Sequence, residues 1–312
     1  MQGKLQKIIN NFVENDESQH PLKKGKQGMG KRLEKKRKKQ IVIAVAAVLL
    51  VLLMIACDAR LKIVCYTVES KKINQPVRLA LITDLHSCSY GKNQSTLVDA
   101  VKKQNPDVVL LGGDIFDDKI FYDNAEVAIR QLAEQYPCYY VTGNHEYWSR
   151  DIGKILEIVR SCGITILSGN CDTIEISGQT INICGVDDPD VAEYLVEGVP
   201  IETQLMMAEE AVTSAGTENY TILLSHRPEL YELYQDYDFD LVLSGHAHGG
   251  QWRIPGILNG LYAPNQGLFP EYAGGRYDYK TGTMIVSRGL ARESTPVPRI
   301  FNRPELVIID VQ

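Results

Sequence analysis

From about residue 61 onward, short apolar runs rich in branched and aromatic residues alternate with longer segments that have a helical period. Uniformly apolar runs of this length are typical of strands buried on both faces. Strands are predicted at 61–68, 77–83, 107–111 and 138–142, with helices near 94–103 and 124–135. This βαβαβ order predicts an α/β domain whose sheet is covered on each side.

Beyond residue 150 the pattern shifts toward hairpins and later strands. It predicts helices at 152–160 and 202–215, a hairpin of 173–176 with 179–184, and strands at 164–167, 221–224, 241–243, 283–286 and 306–309. The stretch 253–279 has no period and is rich in Gly, Pro, Asn and Tyr, which predicts a long functional loop beside the last histidine cluster. We therefore predict two packed sheets inside an outer layer of helices.

The amino-terminal part follows a different pattern. Seventeen apolar residues at 41–57 come directly after the basic run 31–39. They predict a transmembrane helix, with a cleaved signal peptide, a lipidated Cys57 and a buried core helix as alternatives. We expect a flexible tail at 1–40, a connector with the first strand at 58–73, and the main domain at 74–312.

The charge is divided unevenly between these parts. Residues 1–40 carry twelve Lys/Arg against four Asp/Glu, whereas the other 272 residues carry 21 against 35. The basic side of an apolar span stays in the cytoplasm, so we expect a single-pass protein of the cell membrane with its acidic domain outside. The basic segment favours contact with anionic lipid heads, and no nucleic-acid partner is expected.

The sequence does not determine a disulfide pairing for the seven cysteines. The six in the domain allow fifteen full pairings, and an external location permits disulfides. Cys138 and Cys184 lie in strand-like runs, so we interpret them as buried small apolar residues. Cys88 lies two residues after His86, and we assign it to a neighbouring loop and not to a ligand set.

Five of the six histidines lie in four short segments, each at the end of a strand-like run. The segments are Asp84-Leu85-His86, Gly143-Asn144-His145-Glu146, Ser225-His226 and Gly245-His246-Ala247-His248-Gly249-Gly250-Gln251, to which Gly112-Gly113-Asp114 can be added. Residues at the carboxyl ends of parallel strands meet in one crevice. Each segment alone is more often a surface turn than a ligand pair, but the set predicts one dinuclear metal site.

The residue types at these positions suit a metal site. Asp84 and His86 are two residues apart, as are His246 and His248, so on a regular strand each pair would point to one face. The glycines around the second pair permit tight turns and close backbone approach. Oxygen and imidazole ligands without thiolate suit two divalent ions of manganese, iron or zinc.

These motifs resemble those of the calcineurin-like metallophosphoesterases, whose series is Asp-x-His, Gly-Asp-x-x-Asp, Gly-Asn-His-Glu/Asp, a lone His, and Gly-His-x-His. All five occur here, and the similarity covers roughly residues 74–311. The last motif is most similar to the membrane-associated bacterial phosphodiesterase branch. The resemblance implies a four-layer αββα sandwich with two metal ions, here preceded by a transmembrane helix.

Carried onto this sequence, the resemblance implies a role for each motif residue. One metal would be held by Asp84, His86 and His248, the other by Asn144, His226 and His246, with Asp114 as the bridge. His145 would stay unligated near the leaving oxygen, and a hydrogen bond from Asp117 would orient it. A hydroxide that bridges the metals would attack phosphorus in line.

Three arginines are candidate substrate contacts, namely Arg253, Arg288 and Arg299, although each is as easily a surface or carboxylate-paired residue. We expect a membrane-anchored, metal-dependent phosphohydrolase, more specifically a phosphodiesterase acting on a lipid-linked or cell-envelope phosphoester. Two alternatives stay open. One is a phosphomonoesterase or pyrophosphatase acting on nucleotide-linked lipids, and the other is a metal-stabilised binding module of the envelope without turnover.

Overall fold

The structure is a computed structural model that describes residues 20–292 and 297–312, without the side chains of residues 20–31 and 33. It divides into two compact units, with the boundary between Ile55 and Ala56. In the first unit, helix α1 (His20–Ala56) contains a 23-residue stretch, Glu34–Ala56, that is apolar and long enough to cross a membrane. Side chains 41–55 are all exposed, as expected of a segment that packs against lipid.

The boundary of α1 differs from the sequence prediction. Residues 20–40 were predicted to be a flexible tail, but the helix begins at His20. Lys, Arg, Glu and Gln are good helix formers, and extending an existing helix needs no new nucleus. The prediction for residues 1–19 lies outside the described part of the chain.

The second unit alternates strands and helices in the predicted order. Its elements are β1 (Lys62–Val68), β2 (Val77–Ile82), α2 (Ser95–Gln104), β3 (Val108–Gly112), α3 (Asp123–Ala133), β4 (Cys138–Val141), α4 (Asn144–Trp148), α5 (Ile152–Ser161), β5 (Thr165–Ile166), β6 (Asn170–Ile176), β7 (Gln179–Gly185), α6 (Val191–Tyr194), α7 (Ile201–Ala215), β8 (Tyr220–Leu224), α8 (Tyr231–Tyr234), β9 (Leu241–Ser244), β10 (Tyr262–Ala263), β11 (Gly267–Leu268), β12 (Gly275–Asp278), β13 (Thr283–Val286) and β14 (Glu305–Val311).

The strands form two six-stranded mixed sheets and one short ribbon. The first sheet has the order β1-β14-β2-β3-β4-β5 and the second has the order β12-β13-β9-β8-β7-β6, while β10 and β11 form the ribbon. Strands β2, β3 and β4 run parallel, as do β7, β8 and β9. Parallel strands of this kind bring the ends of several chain segments to one edge of each sheet.

Three apolar cores separate four layers. Leu79 and Leu110 of the first sheet pack with Ile222 and Leu243 of the second in the central core. The outer face of the first sheet packs on α2, α3 and α5, and the outer face of the second packs on α7 and α8. The predicted αββα sandwich is confirmed. Burial of each large side chain contributes about 1.5–3 kcal/mol relative to exposure.

Two local predictions need correction. Residues 58–73 were set apart from the main domain, but β1 pairs with β14 from Lys62 to Val68 and completes the first sheet. Residues 253–279 were predicted to be a loop, yet they contain β10, β11 and β12. Strands of two to four residues that are flanked by glycine are too short to show an alternating pattern.

The cysteines confirm one interpretation and correct another. Cys138 is buried and free, as expected. Cys184 is buried too, but it forms a disulfide with Cys171, its direct cross-strand partner in the β6–β7 hairpin. No sequence signal distinguished this pair from the other possible pairs, because the pairing depends on the register of the two strands.

Candidate metal centre

The predicted ligands follow five strands of both sheets. Loops after β2 and β3 carry Asp84, His86 and Asp114, the helix after β4 begins with Asn144, and the segments after β8 and β9 carry His226, His246 and His248. Three groups bring their ligand atoms within 4.8 Å of one another: Asp84, His86, Asp114 and His248 in the first, Asp114, His226 and His246 in the second, and His86, Asp117 and His145 in the third. The sandwich thus joins residues that are up to 164 positions apart.

Backbone conformation places several of these side chains. Asp84, His86 and Asp114 have φ values of 50°, 47° and 50°, in the left-handed region, and His246 and His248 have 62° and 47°. Regular strand alternation is therefore not the reason that Asp84 and His86 converge, because β2 ends at Ile82. Each such residue costs about 1–3 kcal/mol and persists only where its surroundings hold it.

Glycines allow the loops to approach one another closely. A Cβ on Gly245 would lie 2.6 Å from Asp84 Oδ2, and one on Gly289 would lie 2.5 Å from the same oxygen. Gly289 also has a φ of 69°, which L side chains rarely adopt. Close backbone approach at Gly245, predicted from the sequence, is therefore present, and it occurs against the Asp84 carboxylate.

The first ligand cluster consists of Asp84, His86 and His248. The Nε2 atoms of His86 and His248 are 3.3 Å apart, and His248 Nε2 is 3.5 Å from Asp84 Oδ1. The Nδ1–H of His86 donates to Asp117 Oδ2 at 3.0 Å. Because Asp117 holds that proton on Nδ1, the lone pair on Nε2 stays available for a cation.

The second ligand cluster contains His226 and His246, and Asn144, which was predicted to join them, has a buried side-chain oxygen. His226 donates from Nδ1 to Gly112 O at 2.9 Å and directs Nε2 toward Asp114 Oδ2, 3.1 Å away. His246 donates from Nε2 to Asn265 Oδ1 at 3.0 Å, which leaves its Nδ1 as the possible ligand atom. Asp114 Oδ2 is also 3.6 Å from His86 Nε2, so this carboxylate lies between the two clusters.

The polar atoms at the centre fit divalent cations. Five of them are buried without a hydrogen-bond partner in the described structure: Asp84 Oδ2, Asp114 Oδ2, Asn144 Oδ1, His226 Nε2 and His248 Nδ1. Leaving such atoms unpaired costs free energy unless a cation binds them. The donor set of carboxylate, imidazole and amide oxygen suits manganese, iron or zinc.

The charges at the centre perturb one another strongly. Burial raises the pKa of Asp84. Burial opposes the charged form of His226, but the carboxylate of Asp114 outweighs it and raises the pKa of His226 to about 10. Burial lowers the pKa of His248, with the His86 charge adding to the effect. Metal ligands must be deprotonated, so cation binding at this centre releases protons.

The carboxylate partner of His145 differs from the prediction. His145 donates from Nδ1 to Asp118 Oδ1 at 2.7 Å, whereas Asp117 Oδ2 lies 3.8 Å from the same nitrogen. Asp117 is engaged by His86 and by the N–H groups of Lys119 and Ile120. The predicted hydrogen bond between Asp117 and His145 is therefore wrong. Because Asp117 and Asp118 are adjacent, the local turn decides which of them accepts the hydrogen bond from His145. Sequence spacing does not reveal that turn.

Glu146 is a residue whose role the sequence analysis missed. Its carboxylate accepts hydrogen bonds from the N–H groups of Asp114, Ile115, Phe116 and Gly143 at 2.8–3.0 Å. Burial, followed by the nearby Asp114 charge, raises its pKa to about 7. Glu146 thus joins the loop after β3 to the start of α4. Its place in Gly-Asn-His-Glu was the available signal.

Arg227 was also missed, although it directly follows His226. Its guanidinium is buried and binds Asp188 through two bonds of 2.5 and 2.8 Å. It also donates to Asp190 at 3.0 Å and to Asn265 at 2.8 Å, and its Nη1 lies 3.3 Å from His246 Nε2. A buried cation therefore borders the second ligand cluster.

The three predicted substrate arginines all have protein partners. Arg253 contacts Asn259 and Gly249 O, and Arg288 Nε lies 3.3 Å from the buried Glu305 carboxylate. Arg299 donates from Nε to Ala291 O at 2.8 Å, while its Nη2 is buried without a hydrogen-bond partner. Of the three, Arg299 alone keeps a buried guanidinium nitrogen with neither a hydrogen bond nor an ion pair among the described contacts.

Comparison with known proteins agrees with this geometry. A model of the calcineurin-like phosphoesterase family matches residues 77–250, more than half of the chain. The chain therefore belongs to the calcineurin-like phosphoesterases, a family of metal-dependent phosphoester hydrolases. The predicted family and enzyme class are confirmed.

Individual relatives are more distant. An uncharacterized metallophosphoesterase of Aquifex aeolicus is 29% identical over 263 residues, covering 81% of this chain and 92% of that protein. A transmembrane protein with metallophosphoesterase domain from Danio rerio is 30% identical over 242 residues, covering 75% of this chain and about half (52%) of that protein. The NAD nucleotidase structure of Haemophilus influenzae has a TM-score of 0.51 and 16% identity over 70% of this chain and 46% of that one, which shows a common fold.

Proposed function

We propose that this protein is a membrane-anchored, metal-dependent phosphodiesterase. The observation that carries the proposal is the position of His145 beside the ligand clusters. Its ring centroid is 4.4 Å from that of His86, and it is only part-buried. An imidazole that is not itself needed as a ligand, at the edge of a dinuclear centre, is placed to act on a departing oxygen.

The chain's own ligands would divide between two ions. Asp84, His86 and His248 would hold one, Asn144, His226 and His246 would hold the other, and Asp114 would contact both. Two divalent ions bound there supply a water of lowered pKa and neutralise charge on the phosphoryl oxygens. The unpaired carboxylate and amide oxygens described above support this division.

His145 would transfer the proton. Asp118 accepts the Nδ1–H, which fixes the tautomer and orients the ring. Protonated at Nε2 as well, His145 donates that proton to the leaving alkoxide as the phosphorus–oxygen bond breaks. Trp148 packs 4.7 Å from the His145 ring and limits its rotation.

The direct test is hydrolysis of bis(p-nitrophenyl) phosphate by the full chain in detergent with Mn²⁺. His145→Ala should lower kcat by about 10²–10⁴-fold because proton transfer is lost, while bound metal stays unchanged. His20→Ala, which removes the histidine of α1, is the matched control and should keep full activity. Equal kcat for both variants would refute the role of His145.

Diester preference needs its own comparison. The same protein should have a higher kcat/KM for bis(p-nitrophenyl) phosphate than for p-nitrophenyl phosphate. A reversed ratio would make it a phosphomonoesterase, and retained metal without hydrolysis of either ester would make it a binding module. Arg299 is the arginine we propose as a substrate contact, since its buried Nη2 has no partner among the described residues.

We propose that α1 crosses the membrane once, with its basic amino-terminal side in the cytoplasm and the catalytic domain outside. Twelve Lys/Arg within residues 1–40 support this direction. A phosphatase reporter fused after Gln312, which folds only outside the cytoplasm, should be active. Activity of a cytoplasmic reporter at the same position would reverse the topology.

A further inference from the structure

The chain enters the catalytic domain at the edge that carries the metal centre. β14 runs antiparallel to β2 and pairs Val307 with Leu81, so the start of β14 lies at the carboxyl end of β2. β1 runs parallel to β14 and pairs Lys62 with Glu305. β1 therefore begins beside the loop that holds Asp84, and not at the opposite end of the sheet.

Hydrogen bonds join this entry point to the segment before β14. Phe301 donates from its backbone N to Ala56 O at 2.7 Å, and Arg303 donates to the backbone oxygens of Arg60 and Leu61 at 2.9 Å. Ala56 is the last residue of the candidate span. The residue at which the candidate span ends is thus bonded to the segment before β14.

The same segment contacts the residues that follow the last metal motif. Ile300 accepts from Arg253 N at 2.9 Å and forms a bridge with Trp252, whose Nε1 donates to Pro298 O at 3.0 Å. The β10–β11 ribbon is tied to this motif by Leu261 N, which donates to Gly250 O at 2.9 Å. The entry point therefore lies close to the residues that directly follow the last metal motif.

Large apolar side chains are exposed on these connected segments. Ile257 is 83% exposed, and Leu268 and Phe269 are each 66% exposed. Trp252, Ile254 and Tyr262 are between 44% and 51% exposed. We call these six residues the apolar rim: Trp252, Ile254, Ile257, Tyr262, Leu268 and Phe269. Trp and Tyr beside aliphatic side chains are the composition typical of membrane interfaces.

We propose that the apolar rim inserts into the interface of the bilayer that α1 spans, so that the metal centre faces the lipid headgroups. The substrate is then a phosphoester carried by a membrane lipid at headgroup level. The proposal rests on the anchoring proposed above. Its support is the bonded path from Ala56 through Phe301 and Ile300 to Trp252, together with exposed apolar area that water would otherwise solvate.

Insertion is tested by fluorescence quenching of the full chain in phospholipid vesicles that contain lipid spin-labelled near the top of the acyl chain. Trp148→Phe with Trp252→Phe removes both native tryptophans. Added to this background, Ile257→Trp should lose most of its fluorescence, since interfacial insertion buries a side chain about 5–10 Å deep. Equal quenching of this variant and of its control would refute insertion.

The control is Met206→Trp in the same background. Met206 is 62% exposed on α7 and lines a cavity with Lys72, which follows β1 at the opposite end of the sheets. Its introduced indole should lose no fluorescence. The reference protein with native tryptophans is assayed with soluble bis(p-nitrophenyl) phosphate, so failure of insertion and failure of the proposed activity are separate results.

Substrate class is tested with Ile257→Asp in the full chain. In the same vesicles, this variant should cleave a p-nitrophenyl phosphodiester of diacylglycerol about 10-fold more slowly than the unsubstituted protein does. This is the loss expected when one Ile side chain no longer enters the interface. Cleavage of soluble bis(p-nitrophenyl) phosphate should be unchanged, and Met206→Asp should change neither rate. Equal rates of Ile257→Asp and the unsubstituted protein on the lipid ester would overturn the lipid-substrate inference.

Discussion

The two ligand clusters share Asp114 but differ in what lies behind them. His86 of the first cluster is backed by the carboxylate of Asp117, whereas His246 of the second lies 3.3 Å from the guanidinium of Arg227. A carboxylate behind an imidazole strengthens it as a ligand, and a buried cation beside one weakens cation binding. The two clusters are therefore unequal as candidate sites, and we expect the first to bind its ion more tightly.

We expect both clusters to lose metal binding if Asp114 loses its charge. Asp114→Asn should lower activity at least about 10³-fold and remove bound metal from both clusters, because both lose an anionic ligand. Metal per protein, measured by elemental mass spectrometry, and turnover of bis(p-nitrophenyl) phosphate check this. Asp99→Asn, on the exposed face of α2, is the matched control and should bind two ions. Two tightly held ions in Asp114→Asn would show that the clusters are independent.

Asp117 and Asp118 allow the first cluster to be weakened selectively. Asp117→Asn should reduce affinity for one ion about 10–100-fold, because His86 loses its carboxylate partner. Asp118→Asn should leave both affinities unchanged and lower kcat, since it orients His145 alone. Metal titration by calorimetry beside steady-state kinetics separates the two effects. Reversed results would restore the assignment of Asp117 to His145.

Arg227→Gln tests the weakness of the second cluster. It should raise affinity for the other ion about 10-fold by removing a nearby positive charge. It should also lower the free energy of unfolding by about 3–5 kcal/mol, because the buried Asp188 loses its partner. Arg130→Gln removes only an exposed pair on α3 and should change neither quantity. An unchanged or weaker ion affinity in Arg227→Gln would show that Arg227 does not distinguish the clusters.

Local pattern was enough to predict the strands that lead into the site. Each ligand motif follows an apolar run, and such a run marks a buried strand whatever its distant partners are. For this reason the ends of β2, β3 and β4 were predicted to within one or two residues. The ligand positions after them follow from parallel strand order and from the resemblance of the motifs.

Long-range pairing and fine side-chain geometry were out of reach. β1 joins the domain by pairing with residues more than 240 positions away, and periodicity carries no information about partners. The choice between Asp117 and Asp118 depends on a turn in which the N–H groups of Lys119 and Ile120 donate to the Asp117 carboxylate. Arg227 had no motif of its own, so only packing against Asp188 revealed it.

The left-handed backbone of Asp84, His86, Asp114, His246 and His248 bears on how this domain can evolve. At each of these positions glycine would fit the backbone with less strain, so selection for stability alone favours loss of the ligand. In a lineage that no longer needs the activity, we therefore expect substitutions to replace these five residues early, while the apolar cores beneath them remain. Five non-glycine residues in a strained conformation are what we expect of a site that is selected for its chemistry.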